Sequence, residues 1–450
     1  MTTALHPRTI ADEAGADAPA PGRFRSIYSV RFLLDPRFRA DPYPLYDRVR
    51  AHERVHHAAV AATLVSGYDE CLTVLKDPHA SSDESHTDLR FSAGRDGAGL
   101  LAEAPGRLIF RLAAMLDTGE DSGAFRAMSQ GLLISIDPPD HTRIRALASR
   151  AFTPKVVDQM RPHIESVAHR LLDGLEADGG AELLERYCYE LPVIVICEML
   201  GVPAGDHARF GAWVPDIVAG LDAAAVTSRR VRQRADAAAV AISAYLRELI
   251  DRRRADPDDR LLSGLIAAAD GDDRLSEDEL VAFAALLLLA GHETTANLMG
   301  NGLWQLWRHA DQFHRWRTEP ELRPRGVEEL LRYDSPVQLA QRIPLEPIEV
   351  GGVHIASRRF VMLLLGAANR DPERFTHPER LDLARDEGPP ISFGFGVHHC
   401  IGASLARAEG TIGLGVLFDR FPRLRVTLDR PRWRPNVIFR GLRELPVRWD

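Results

Sequence analysis

The chain of 450 residues is 45% apolar and 27% charged, a globular composition that excludes a disordered or collagen-like protein. Lys and Arg number 56 and Asp and Glu 64, a formal net charge of −8, which argues against a strongly basic nucleic-acid binder. Four cysteines, Cys71, Cys188, Cys197 and Cys400, are too few for a disulfide scaffold and point to a reducing, cytoplasmic setting.

Residues 1–25 read as a disordered tail. Met1 to Gly22 holds no apolar core segment, so no secretory signal is expected. Residues 35–50 read as a Pro-punctuated entry into a helix, 55–68 as a short hairpin, and 68–76 as a helix stopped by Asp77-Pro78. Residues 79–130 have weak periodicity and suggest a functional lid or loop. From 140 to 255 the pattern is helical. Thr153 and Pro154 open a helix over 153–175, and further helices are expected at 188–200, 206–221 and 226–254. Residues 270–274 read as a loop.

Ser276 to Glu279 fit a capping box at the head of a helix reaching about Trp307, roughly 45 Å long. Its longest apolar run, Leu280 to Gly291, is about half of the ~20 residues a membrane span needs, so no membrane association is expected. Helices near 311–317 and 322–333, short strands over 337–365, a helix over 400–421 and a strand-like tail complete the reading. The chain is mainly α with a minor, segregated β region.

Four motifs carry chemistry. FGFGVHHCIGASLAR (393–407) sets one cysteine, Cys400, after a Gly-rich stretch at the mouth of a helix, where the dipole favours a thiolate. No second cysteine is near, so a Cys-x-x-Cys zinc site is excluded. Taken alone, the pattern equally fits a buried, inert cysteine. Glu329 and Arg332 share a helix face and can pair, though such pairs are usually solvated. Ala290-Gly291-His292-Glu293-Thr294-Thr295 puts Gly and two Thr in a helix centre, at a cost in propensity. It fits either a proton relay in a locally opened helix or a packing Gly beside an exposed Glu. His141 and Arg145, at i and i+4 after Pro138-Pro139, form a cationic pair suited to carboxylate or phosphate, or a plain surface pair.

Together, and in this order, the four motifs make residues 25–450 resemble the cytochrome P450 family of haem-thiolate monooxygenases, in its soluble bacterial branch. The resemblance implies a single domain over 26–450, with helices around haem b and small segregated sheets. It implies Cys400 as the iron thiolate, Phe393 against the proximal face, and Gly394 and Gly396 leaving N–H groups free to tune the sulfur. His141, Arg145, Arg342 and His398 would hold the propionates, and Gly402 and Ala290 would border the cofactor. Glu293 and Thr294 would deliver protons during oxygen reduction, and Gly291 would let the helix bulge. Glu329 and Arg332 would form a buried structural pair. Two departures stand out: Arg342-Ile343-Pro344-Leu345-Glu346-Pro347 puts a proline where a strand should pair, and Ile355-Ala356-Ser357-Arg358 replaces an Ile-Pro-x-Gly turn. His399 is expected to face the surface on the cysteine side.

By the same analogy Leu286, Leu289, Ala290, Val337, Leu339, Val437, Ile438 and Phe439 wall the substrate pocket, and Gln338 and Asn436 orient the ligand. These walls imply a hydrophobic small molecule, with a role in secondary metabolism and either hydroxylation or epoxidation expected. No Gly-x-Gly-x-x-Gly follows a strand, so electrons are expected from a ferredoxin and an NAD(P)H-dependent ferredoxin reductase. The docking face would hold Arg143, Arg145, Arg150 and Arg407. A monomer is expected. A peroxygenase using hydrogen peroxide and a non-catalytic haem sensor are the other readings, and the Glu293-Thr294 pair disfavours both.

Overall fold

The computed structural model describes residues 36–58, 62–87, 123–149, 152–221, 229–269 and 275–449. The expected tail, the 270–274 loop and most of the expected 79–130 lid lie outside the described residues.

In chain order the first elements are α1 (Pro36–Ala40), α2 (Tyr43–His52), β1 (Val55–His57), β2 (Ala62–Val65), α3 (Tyr68–Lys76) and β3 (Ala80–Ser81). A helical stretch follows: α4 (Gly123–Gly131), α5 (Asp140–Ser149), α6 (Pro154–Asp173), β4 (Gly180–Glu182), α7 (Glu190–Leu200), α8 (His207–Leu221), α9 (Arg229–Ala255), α10 (Leu261–Ala269), α11 (Glu277–Arg308), α12 (Ala310–Thr318) and α13 (Arg323–Tyr333). Then come β5 (Leu339–Pro344), β6 (Ile348–Val350), β7 (Val353–Ile355), β8 (Phe360–Leu364), α14 (Leu365–Ala368), α15 (Ala403–Arg420), β9 (Arg425–Val426) and β10 (Pro446–Arg448).

The starts of α6 and α11 follow from side-chain caps. Thr153 accepts from Val156 N–H, with Pro154 at the first helical position. Ser276 Oγ accepts from Glu279 N–H (3.2 Å) while the Glu279 carboxylate accepts from Ser276 N–H (2.7 Å), a complete capping box. From there α11 runs 32 residues, about 48 Å, through the centre of the largest core cluster. By length and composition α11 could cross a membrane. However, 78% of its most apolar window is buried by the surrounding fold, which accounts for its hydropathy. The sequence reading passed over α10. Its nine residues, LLSGLIAAA, carry no polar face, so no amphipathic period marks them. The helix expected from 400 starts at Ala403, which leaves Cys400 just outside its first turn.

The sheets are small. One has the order β1-β2-β8-β5-β3, with β2 and β8 parallel and the other pairs antiparallel. The others are β4-β10-β9 and the hairpin β6-β7. Pro344 does not break β5: it is the last residue of the strand, and its carbonyl accepts from Arg358 N–H at 2.6 Å. Arg358 sits at φ +62°, so a non-glycine residue takes the left-handed position at the end of the departed turn.

Two buried ionic networks lock the sheet side to the helices. The Arg332 guanidinium meets both Glu329 oxygens (2.7 and 2.9 Å), and each partner side chain is 2% exposed. Its remaining N–H groups donate to the carbonyls of Asn369, Pro378 and Arg380, while Glu329 also accepts from Asp382 N–H and Arg385. The second network was not read from the sequence. Asp334 accepts from Arg440 (2.6 Å), Tyr43 OH (2.9 Å) and Gln305 (2.7 Å).

Removing one partner of a buried pair leaves an uncompensated charge, at about 3–5 kcal/mol. Glu329→Ala is therefore expected to lower denaturant stability by that amount and to cut the yield of folded protein. Glu319→Ala, in the half-buried, solvent-reached Arg315–Glu319 pair, should cost under about 1 kcal/mol. Equal midpoints for the two variants would refute the structural role of Glu329.

Candidate active site

The loop before α15 is shaped by two left-handed glycines, Gly394 (φ +67°) and Gly396 (φ +71°). A Cβ on Gly396 would stand 2.4 Å from the carbonyl oxygen of Leu75, so no larger residue fits there. Cys400 N–H donates to Phe393 O (2.9 Å) and closes the loop. Arg407 lies 4.5 Å from the Phe393 ring centroid and pairs with Glu328. The expectation of a free Gly394 N–H is corrected, because that group donates to Ile391 O at 2.9 Å. The backbone group that acts on the Cys400 sulfur is the N–H of Gly402.

Cys400 is the exposed one of the four cysteines, whereas the other three are buried with their thiols pushed up by burial. Surrounding protein also raises the Cys400 thiol, against the Gly402 N–H, Arg145 and Arg407. Cys400 thus keeps open surface at the mouth of α15 while protein packs around it.

A wall of cationic and imidazole groups stands beside it. His141 and Arg145 come from α5, Arg342 from β5 and His398 from the cysteine loop. The His141 and His398 rings lie 4.2 Å apart by centroid. Burial, then Arg342, His141 and Arg145, pushes His398 down to about 3. Burial, then Arg145, pushes His141 down to about 4. Burial pushes Arg342 down to about 10, with Asp137 opposing. His141 Nε2 is buried with no partner, and the Arg342 hydrogen bond goes to its neighbour's carbonyl, Gln341 O. Asp137 opposes the positive field at His141 and Arg342, and no carboxylate does so at His398, a deficit of negative charge that an anionic ligand would fill. This donor set, with an open-surfaced cysteine beside it, fits haem and its two propionates.

Across the fold, the centre of α11 also opens. Ala290 is exposed and Gly291 and Thr294 half-buried in an otherwise buried helix. The expected bulge at Gly291 is absent, and α11 is unbroken from Glu277 to Arg308. The Thr294 hydroxyl bonds back to Ala290 O (2.7 Å) without displacing the backbone ladder. Glu293 turns away from Thr294, since successive helical residues diverge by about 100°. It is 3% exposed, and its Oε1 accepts from Tyr189 OH (3.3 Å), Arg434 (3.4 Å) and Asn297 (3.5 Å). Its Oε2 is buried with no partner.

Tyr189 and Arg434 were missed in the sequence, because nothing local links them to Glu293; Asn297 was missed although it stands four residues on along the same helix. Glu409 was missed too. It is fully buried on α15 and pushed up to about 8 by burial, against a hydrogen bond from Thr295. An acid in the apolar run 403–420 was the available signal.

The pocket expectations divide. Val337, Ile438 and Phe439 are half-buried and keep open surface, and Val337 bridges to Phe439. Leu286, Leu289, Leu339 and Val437 are buried. Gln338 is corrected: it is 2% exposed, accepting from Tyr46 OH (3.0 Å) and donating to Ser335 O (2.7 Å), so its amide is spent inside the fold. Asn436 Oδ1 accepts from the N–H groups of Ile438 and Phe439 and so shapes the turn. The expected basic docking patch is weakened as well. Arg143 pairs with Glu279 and Asp140, Arg407 pairs with Glu328, Arg145 turns to His399 O, and Arg150 lies outside the described residues.

Residues 214–432 match the Cytochrome P450 family. The Vitamin D(3) 25-hydroxylase of Pseudonocardia autotrophica is 39% identical, over 92% of this chain and 95% of its own. The chain belongs to the cytochrome P450 family. The 6-deoxyerythronolide B hydroxylase of Saccharopolyspora erythraea is 38% identical, over 94% of this chain and 99% of its own. The solved structure of the Bacillus subtilis bacillaene polyketide synthase cytochrome P450 PksS superposes with a TM-score of 0.78 at 33% identity, covering 93% of this chain and 99% of that one. The fold is therefore the P450 fold, and the protein is a haem-iron monooxygenase that uses O2 and redox partners and takes a hydrophobic substrate.

His292, on α11 beside Glu293, is buried and pushed down to about 4 by burial and then by Arg434. An unfolded histidine titrates near about 6.5. The unfolded chain therefore takes up this proton first, so the stability is complete above about pH 6.5 and lost as pH falls toward 4. Between pH 7.5 and 4.5 the loss from this group should be about 2–3 kcal/mol. Denaturant unfolding of His292→Gln should show an acid limb shallower by that amount, and an unchanged limb would refute the assignment.

Proposed function

We propose that the chain inserts one oxygen atom of O2 into a hydrophobic small molecule of secondary metabolism, of polyketide type. Electrons would come from a ferredoxin and its NAD(P)H-dependent reductase. The observation that carries the reading is the open-surfaced Cys400 beside the uncompensated wall of His141, Arg145, Arg342 and His398. The polyketide class is supported by the names of the S. erythraea and B. subtilis relatives. The half-buried apolar surface at Val337, Ile438 and Phe439 supports a hydrophobic ligand. The proposal includes one domain over 26–450, a monomer and a cytoplasmic setting.

Cys400 would hold haem b by its sulfur, and the two imidazoles and two guanidiniums would hold its propionates. Once bound, the haem would supply the redox chemistry that activates O2. The chain's residues do the rest. The Gly402 N–H, Arg145 and Arg407 favour the thiolate form of Cys400. Phe393, with Arg407 over its ring, holds the loop closed by accepting the Cys400 N–H at its carbonyl. On α11 the Thr294 hydroxyl can leave Ala290 O and donate a proton or hold a water in the open space beside Ala290. Glu293, an acceptor in its long contacts with Arg434 and Tyr189, would resupply that proton by releasing them, taking up a proton from water and rotating toward Thr294 to pass it on.

Two variants test this reading. Cys400→Ala should lose the thiolate-type Soret shift of the reduced, carbon-monoxide-treated protein, and retention of that shift would refute the ligand. Thr294→Ala should bind haem and substrate as before, yet form less product per NAD(P)H oxidised, by on the order of 10²-fold, with hydrogen peroxide released instead. Unchanged coupling would remove Thr294 from proton delivery. Full turnover on hydrogen peroxide alone, matching the ferredoxin-driven rate, would favour a peroxygenase.

A further inference from the structure

Away from the cysteine loop, His52, Glu53 and His56 bring their ligand atoms within 4.8 Å of one another. Among the described residues this is the only group of His, Cys, Asp or Glu found to meet so closely. The chain geometry produces the cluster. His52 is the last residue of α2, and Glu53 caps the helix, its N–H donating to Val49 O while its backbone is already extended (φ −153°, ψ 124°). The chain then enters β1, where His56 faces back toward the helix end. The two rings lie 5.9 Å apart by centroid, edge to face. Glu53 Oε2 is 2.5 Å from His56 Nδ1, so carboxylate and imidazole are already aligned.

His57 does not join the set. Successive strand residues face opposite sides. Both of its ring nitrogens are also spent, Nδ1 on Thr63 Oγ1 (3.0 Å) and Nε2 on His354 O (3.1 Å). The flanking cations do not repel a metal strongly, because each is ion-paired: Arg50 with Asp47, and Arg54 with Glu70 and Asp371.

We propose that His52, Glu53 and His56 form a transition-metal site that takes Zn2+ with two imidazole nitrogens, one carboxylate oxygen and water. Zinc bonds of about 2.0–2.2 Å to such donors put ligand atoms about 3.4 Å apart in a tetrahedral site. The Glu53–His56 pair must open by roughly 1 Å and the wider contacts must close by a similar amount. His52 and Glu53 are exposed and make most of both moves, while His56 is half-buried on β1 and stays near its place. Bound there, the metal clamps the end of α2 to β1, the edge strand of the five-stranded sheet.

The test uses tag-free, haem-loaded enzyme titrated with zinc chloride by calorimetry in a non-chelating buffer. One equivalent should bind. His52→Ala and His56→Ala should each weaken it at least about tenfold, with haem absorbance unchanged. Zinc should raise the wild-type melting temperature, EDTA should reverse the rise, and the double variant should show none. No binding to the wild type would overturn the proposal, as would His52→Ala and His56→Ala isotherms that match it.

Discussion

Positive charge gathered without enough negative charge is the constraint that organises this molecule's functional half. His398 and His141 both feel Arg145 and Arg342, while Asp137 acts against that field at His141 and Arg342 alone. Burial and the neighbouring guanidiniums hold both imidazoles well below their ordinary value, and burial holds Arg342 below its own. Each of these shifts would reverse beside an anion. The wall is therefore preorganised for a dianionic ligand, and the fold bears the cost of holding it open. In the two ionic networks around Glu329 and Asp334 donors and acceptors are far better matched. The contrast between satisfied and unsatisfied buried charge separates scaffold from site.

α11 divides the same labour along one helix. Leu280–Leu289 and Ala296–Leu306 are buried and anchor the element in the core. Between them Ala290 and Thr294 keep open surface while His292, Glu293 and Thr295 turn into the protein. Opening therefore comes from what α11 is not packed against rather than from a broken ladder. A continuous helix keeps Thr294 fixed relative to the buried stretches on both sides. That rigidity is what positioned proton transfer needs.

The cysteine loop, the caps at Thr153 and Ser276 and the Glu329–Arg332 pair were legible because each is a local pattern a few residues long. Arg342 was legible only through family resemblance, since nothing around it in sequence marks a strand residue as a ligand-holder. The Glu293–Arg434–Tyr189 and Asp334–Arg440–Tyr43 contacts span 104 to 291 residues, and only the folded topology brings their members together. Gln338 misled for the opposite reason. A polar residue between apolar pocket neighbours looks like a ligand contact until Tyr46 and Ser335 are seen to consume its amide. α10 escaped because nine nearly uniform apolar residues carry no period to read.

Arg145 joins the two halves of the site. Its guanidinium reaches His399 O at 2.5 Å, so it fixes the peptide immediately before Cys400. It also lowers the Cys400 thiol and adds to the positive field on His141 and His398. One planar group thus holds the sulfur's backbone, favours its ionised form and supplies part of the charge that an anion would neutralise. A lysine could supply the charge but only as a point, without the forked donors that let one side chain serve a carbonyl and an anion together. The position of α5, with His141 and Arg145 one turn apart, therefore couples cofactor retention to the electronic state of the cysteine. A change that shifts this helix must disturb both properties at once.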